Sequence, residues 1–121
     1  MGAFADIGDV EPQRIWGGVF GRTIEGERIT FSLVELDPDT VVPEHSHENE
    51  QVGMLVAGSL SFTVGGETKE LGPGGTWCIT AHVPHSVVTG PGGAVVIEVF
   101  SPTRDDWAAL ERVPALKPDW P

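Results

Sequence analysis

Cysteine is almost absent from this chain, with one thiol, Cys78, in 121 residues. A single thiol excludes an intrachain disulfide framework and a thiolate zinc cluster, since each takes several. Cys78 lies in the apolar stretch "TWCIT" with no basic neighbour to lower its pKa, so it reads as a buried and inert thiol. Basic residues are scarce as well: 7 Lys and Arg against 18 Asp and Glu leave a formal charge of −11. A field of that sign repels both nucleic-acid backbones and anionic membrane surfaces, and neither is expected as a partner. An anionic ligand would need local positive charge from a metal or a few arginines. Also missing are an apolar run long enough to span a bilayer and, in "MGAFADIGDVEPQ", the basic and apolar regions of a secretory signal. The chain reads as an unprocessed cytoplasmic protein.

Glycine and proline, by contrast, are plentiful. The 16 glycines and 10 prolines fall between short runs of β-branched and aromatic residues, the punctuation of strands and turns. Strands are expected at 16–22, 28–36, 50–57, 59–64, 68–71, 76–80, 85–89 and 94–100, with "VGGE" at Val64 to Glu67 as a tight hairpin turn. In "SLSFTV" Leu60, Phe62 and Val64 share one face and the serines and threonine the other, as in a half-buried strand. "AVVIEVF" is apolar throughout except for Glu98, which in a strand buried on both faces needs a partner or a function. From Ser101, "SPTRDDWAALERV" offers a cap, a proline, early acids and a Trp107, Leu110, Val113 stripe, and predicts one short helix. The proline-rich tail "PALKPDWP" follows along the surface. At this length residues 1–121 form a single domain with one core.

The chemistry concentrates in "PEHSHENEQVGMLVAGSL". His45, His47 and Gln51 differ by even steps, so an extended backbone would project all three from one face and Glu44, Glu48 and Glu50 from the other. Two imidazoles and an amide oxygen suit a divalent transition cation, and a fourth ligand must come from elsewhere in the chain. His85, behind the stiff Pro84 and opening an apolar strand, is the candidate; His82 sits in a turn and reads as solvent-facing.

These residues carry a resemblance. "HSHENEQVGMLVAG" is similar to the first motif of the cupin superfamily, HxH followed by Glu or Gln and then Gly, and "GPGGTWCITAHVPHS" resembles its second motif. The resemblance implies an all-β jelly-roll barrel over about residues 17–101, followed by the short C-terminal helix and tail, with His45, His47, Gln51 and His85 as metal ligands. The metal would be nickel, zinc, iron, manganese or copper. With "EVFSPTRDD", the pattern looks like the KdgF-type cupins of pectin and alginate breakdown, which linearise 4,5-unsaturated uronic acid monosaccharides. That group carries Asp, Phe and Arg in the pocket, at the spacing of Glu98, Phe100 and Arg104 here, with Glu one methylene longer than the Asp it replaces.

The resemblance thus implies a metal-dependent isomerase or lyase for a small anionic sugar. Glu98 would be the general acid/base, Arg104 the carboxylate clamp and Phe100 the ring that packs on the sugar. Simpler readings stand beside these roles: Glu98 facing solvent, Arg104 near a helix end and Phe100 in the core; Trp77 is a candidate for the pocket wall or the core. Cupin sites also serve oxygen-activating iron enzymes and non-catalytic sugar or metabolite binding. A homodimer is expected, with apolar strands and the Ile15–Trp16 region as its interface.

Overall fold

Gly65 and Gly66 make the tightest reversal, with φ of +56° and +86°, the two positive values that a type I′ hairpin requires. They join two strands of a sheet whose members, in the computed structural model, which describes residues 2–114, 118 and 120, are β1 (Gln13–Trp16), β2 (Val19–Glu25), β3 (Thr30–Leu36), β4 (Val41–His45), β5 (Glu50–Val64), β6 (Glu67–Leu71), β7 (Thr76–Ile79) and β8 (His85–Ser101). All pairs are antiparallel, and the order is β1-β2-β3-β8-β5-β6, with β4 also on β8 and β7 on β5. The sheet is rolled into a jelly-roll barrel.

Two long strands make the rolling possible. β5 and β8 pair from Glu50↔Ser101 to Val64↔His85, with register shifts between Leu55 and Ala57 and between Gly58 and Leu60. Below the bend β5 also carries β7, and above it β6. The expected breaks near Gly58 and Gly90–Gly93 are therefore corners within continuous strands. At that corner Gly58 and Gly93 both have positive φ, and a Cβ on Gly58 would lie 2.1 Å from the Gly93 carbonyl oxygen. The backbones touch, and only glycine allows it.

The core follows the alternation. Leu60 and Phe62 are buried while Ser59 is exposed, and the inward faces of β3, β5 and β8 contribute Val34, Leu55 and Val96. Glu98 and Phe100 share the inward parity of Val96, whereas Val99 is 38% exposed, so β8 is not buried on both faces along its length. The same period corrects Cys78, which is exposed: Trp77 and Ile79 turn inward, leaving the thiol outside opposite Val52. The run expected as one strand from Trp16 is a hairpin that reverses at Gly17–Gly18. Ile15 and Trp16 are partly buried and pack against the core.

The C-terminal helix does not form. A single 3-10 turn, Asp105–Trp107, is present, and the chain then runs back beside β1. Gln13 Nε2 donates to the Trp107 carbonyl at 2.8 Å, Arg14 N to Glu111 O and Val113 N to Pro12 O, each at 2.9 Å. A short isolated helix is marginal because its first turn orders several residues for one hydrogen bond. The open edge of β1 supplies partners for the same backbone groups at once. The expected course of the "PALKPDWP" tail lies mainly outside the described residues. Among those residues no helix is long and apolar enough to cross a membrane.

The corner contact generates a stability prediction. Gly58→Ala adds a steric clash to an unfavourable φ and should cost about 3 kcal/mol or more by urea denaturation, whereas Gly66→Ala, with open space around its Cβ, should cost about 1 kcal/mol. Equal losses would show that the close approach at the corner contributes nothing.

Candidate metal centre and pocket

β4 ends at His45, β8 begins at His85, and the two residues face each other in register. His47 lies in the connection between β4 and β5, outside either strand. The connection is pinned: the buried Asn49 amide donates to the carbonyls of Pro102 and Thr103 at 2.6 and 3.2 Å, and His82 N donates to His47 O at 2.8 Å. Gln51 follows on β5, opposite both Ile79 and Phe100. The one-face parity of a continuous extended segment is thus not the reason these groups meet. A turn carries the chain from one strand to another, and the barrel wall brings their side chains together.

The three imidazoles converge. Ring centroids lie 4.3 Å apart for His45 and His85, 4.9 Å for His47 and His85 and 5.9 Å for His45 and His47. One ligand nitrogen from each falls within 4.8 Å of the others. Every Nδ1 faces a backbone carbonyl, that of Pro43 at 2.8 Å, Asn49 at 2.9 Å and Val83 at 2.9 Å respectively. A carbonyl only accepts, so Nδ1 carries the proton, and in the neutral ring Nε2 is left as a lone pair. Burial, aided by the other imidazoles and Arg104, lowers the His85 pKa to about 4, and burial followed by Arg104 lowers that of His47.

Neutral rings leave an electrostatic problem that a cation solves. His85 Nε2 is buried and has no hydrogen-bond partner among the described residues. His47 Nε2 lies 3.0 Å from Gln51 Oε1, an acceptor facing an acceptor unless a proton or a cation sits nearby. Imidazole nitrogens and an amide oxygen are a donor set suited to divalent transition ions, and the His45, His47, His85 cluster is one that could hold such an ion.

Beside the cluster lies a cavity of about 210 Å³. Glu98 lines it, opposite Gly53 on β5 and Ser32 on β3, and accepts a hydrogen bond from Gln51 Nε2. Burial pushes its carboxyl pKa up to about 7, against the pull of Arg104 and the Gln51 amide. Its place on the cavity wall and the parity it shares with Val96 turn Glu98 inward. Phe100 is buried and also lines the cavity, its ring edge-on to His47 at 6.0 Å and to Trp107 at 5.1 Å. Arg104 precedes the 3-10 turn and points into the cavity, and its backbone N donates to Thr30 Oγ1 at 2.9 Å. His82 is exposed at φ +66°, as a turn residue.

Trp16 and Trp107 line the cavity without a signal in the residue order that places them there, whereas Trp77 serves both the cavity wall and the core, the two places open to it. Trp16 stacks toward His45 at 5.3 Å, and Trp107, expected on a helix stripe, lies under the Arg104 guanidinium. Trp77 covers Gly53, where a Cβ would meet the indole at 2.6 Å, so the glycine admits the ring to the barrel interior. Asp106 also reaches the cavity. The adjacent acids in "TRDD" were the available signal for it, without any indication of which one turns inward.

A family model described as Cupin domain matches residues 32–100. The pectin degradation protein KdgF of Dickeya dadantii is 33% identical over 64 residues, which cover 52% of this chain and 58% of that protein. The chain thus spans less than two thirds of that relative. The structure of KdgF from Halomonas sp. superposes with a TM-score of 0.79 at 28% identity, over 88% of this chain and 98% of that one. An RmlC-like cupin from Shewanella frigidimarina gives 0.82 at 27% identity, over 89% and 97%.

If the three imidazoles hold the ion, His47→Ala should lose most of its bound metal after dialysis while keeping the far-ultraviolet circular dichroism of the parent, as measured by elemental mass spectrometry. Full occupancy in that variant would remove His47 from the ligand set.

Proposed function

The chain belongs to the cupin family, and from that premise we propose that it is a metal-dependent enzyme that opens the ring of 4,5-unsaturated uronates to the linear keto form. The observation that carries the reading is the buried Glu98 carboxyl, held by Gln51 beside the three-histidine cluster in the same cavity as Arg104. The likeness to the two KdgF proteins supports it.

In this reading His45, His47, His85 and Gln51 hold a divalent cation. All four groups are neutral, so the ion would keep its full charge and supply Lewis acidity to an oxygen that becomes negative during the reaction. The chain's own part is positioning and proton transfer. Arg104 orients the substrate carboxylate by charge-assisted hydrogen bonds. Phe100 and Trp107 exclude water from that end of the cavity. Glu98 accepts the proton of the anomeric hydroxyl as the C1–O5 bond breaks and C1 becomes an aldehyde. The same carboxyl then delivers a proton to C4, so that the enol at C5 becomes a ketone. Atoms and electrons balance without a co-reactant. A pKa near neutrality suits a group that must both take and give a proton. The cavity, smaller than the roughly 300 Å³ that drug-sized ligands occupy, fits a monosaccharide better than a polymer.

The same reading places a homodimer in the cytoplasm. Ile24, Val52, Met54 and Val99 lie half-exposed on the outer face of the sheet, an apolar surface suited to a two-fold contact.

Metal-loaded protein should accelerate the loss of the ultraviolet enol-ether band of a 4,5-unsaturated uronate relative to a metal-stripped control. Glu98→Gln should lower kcat by about a hundredfold or more. Arg104→Ala should act chiefly on KM, raising it about tenfold or more. No acceleration with any of several divalent metals would end the uronate assignment, and oxygen uptake with iron would then favour a dioxygenase.

A further inference from the structure

Among the described residues Arg104 is the one Arg or Lys side chain lining the cavity. Its guanidinium carbon lies 4.8 Å from the Phe100 ring centroid and 4.2 Å from that of Trp107, so aromatic packing on two sides constrains the plane. One edge of that plane is already filled. Nε donates to Asp106 Oδ1 at 3.0 Å and Nη2 donates to Asp106 Oδ2 at 2.9 Å, a two-pronged match of guanidinium and carboxylate. The two residues are separated by one position and held by the same 3-10 turn, in which Trp107 N donates to Arg104 O at 3.0 Å. The pairing is therefore set locally and does not wait for a ligand.

Its consequence is an inventory of donors. A guanidinium has five N–H groups, and Asp106 uses one on Nε and one on Nη2. The two on Nη1 and the second on Nη2 make no hydrogen bond among the described residues. The second on Nη2 and one of those on Nη1 form the end-on fork, which still accepts one carboxylate. Asp106 reaches the cavity too, with its side chain 60% exposed, and the hydrogen bonds from Arg104 hold its carboxyl below the usual range, so it stays ionised.

We infer that Asp106 sets the charge selectivity of the pocket: by filling the side-on edge of Arg104 and offsetting its charge, it leaves one end-on site for a singly charged carboxylate and disfavours dianions such as phosphorylated sugars. A phosphate monoester carries a charge of about −1.5 to −2 at neutral pH, so the repulsion from Asp106 on it is nearly twice that on a carboxylate at the same distance. With the side-on edge filled, either group is limited to the two parallel hydrogen bonds of the end-on fork, so the discrimination is one of charge. This inference rests on the uronate reading of the cavity, and Asp106 acts here as a specificity-determining residue, with no proton to move.

The test is calorimetric titration of the metal-loaded protein with D-glucuronate and with D-glucose 6-phosphate, which carry a carboxylate or a phosphate at the same end of one sugar. The parent should prefer glucuronate. Asp106→Asn keeps one oxygen for the Arg104 edge and loses the charge, and should shift the affinity ratio toward glucose 6-phosphate by about tenfold. Asp105→Asn removes the same charge from a carboxylate that accepts from Thr103 Oγ1, and should leave the ratio unchanged. An unaltered ratio in Asp106→Asn, or an equal shift in Asp105→Asn, would overturn the inference and leave the uronate reading standing. No detectable glucuronate binding by the metal-loaded parent would overturn that reading and the inference with it.

Discussion

The antiparallel pairing of β5 with β8 is the contact on which the rest of this structure depends. It places Gln51 opposite Phe100 and Gly53 opposite Glu98, and it carries His85 to the far end of the same ladder, beside Val64. A slip of one residue would turn Glu98 and Phe100 to the outer face and bring Val99 and Ile97 into the barrel. The register is secured by burial on one face, with Val96, Leu55 and Leu60 inside, and by the Gly58–Gly93 contact at the corner. Fold and site therefore share one determinant.

Within that frame the site combines groups that a strongly acidic chain would not bring together by chance. One nitrogen from each of three imidazoles and an amide oxygen converge on one small region, while the net charge of the chain is −11. The carbonyl at each Nδ1 fixes the ring orientation and tautomer, while burial and the nearby Arg104 lower the pKa of His47 and His85. Burial raises the pKa of Glu98 and lowers that of His85, because in both cases it penalises the charged form. Arg104 works against the first shift and with the second, and Asp106 tempers its charge.

Much of this was legible in residue order. Turn glycines, the alternation of "SLSFTV" and the lone acid of "AVVIEVF" identify an all-β chain with an inward carboxylate candidate, and the histidine spacing nominates His45, His47 and Gln51. The reason for their meeting was not legible, since the backbone turns between β4 and β5 and the groups converge across the barrel. Nor was the fate of residues 101–113, whose local pattern favours a helix and whose backbone is instead taken up by Gln13, Arg14 and Pro12, about a hundred positions away. Cys78 was misplaced because a short apolar run does not state which parity faces inward.

The sequence by itself determined the periodicities, the turn positions, the net charge and the inventory of ligand-type residues, all of which follow from neighbours a few positions apart. The tertiary structure alone decided that Asn49 would pin the His47 connection, that Trp77 would lie over Gly53, and that the Arg104–Asp106 pair would face the cavity. Those outcomes depend on which distant backbone donors, acceptors and voids the closed barrel brings within reach. Local pattern holds no information about such distances until the long strands have paired.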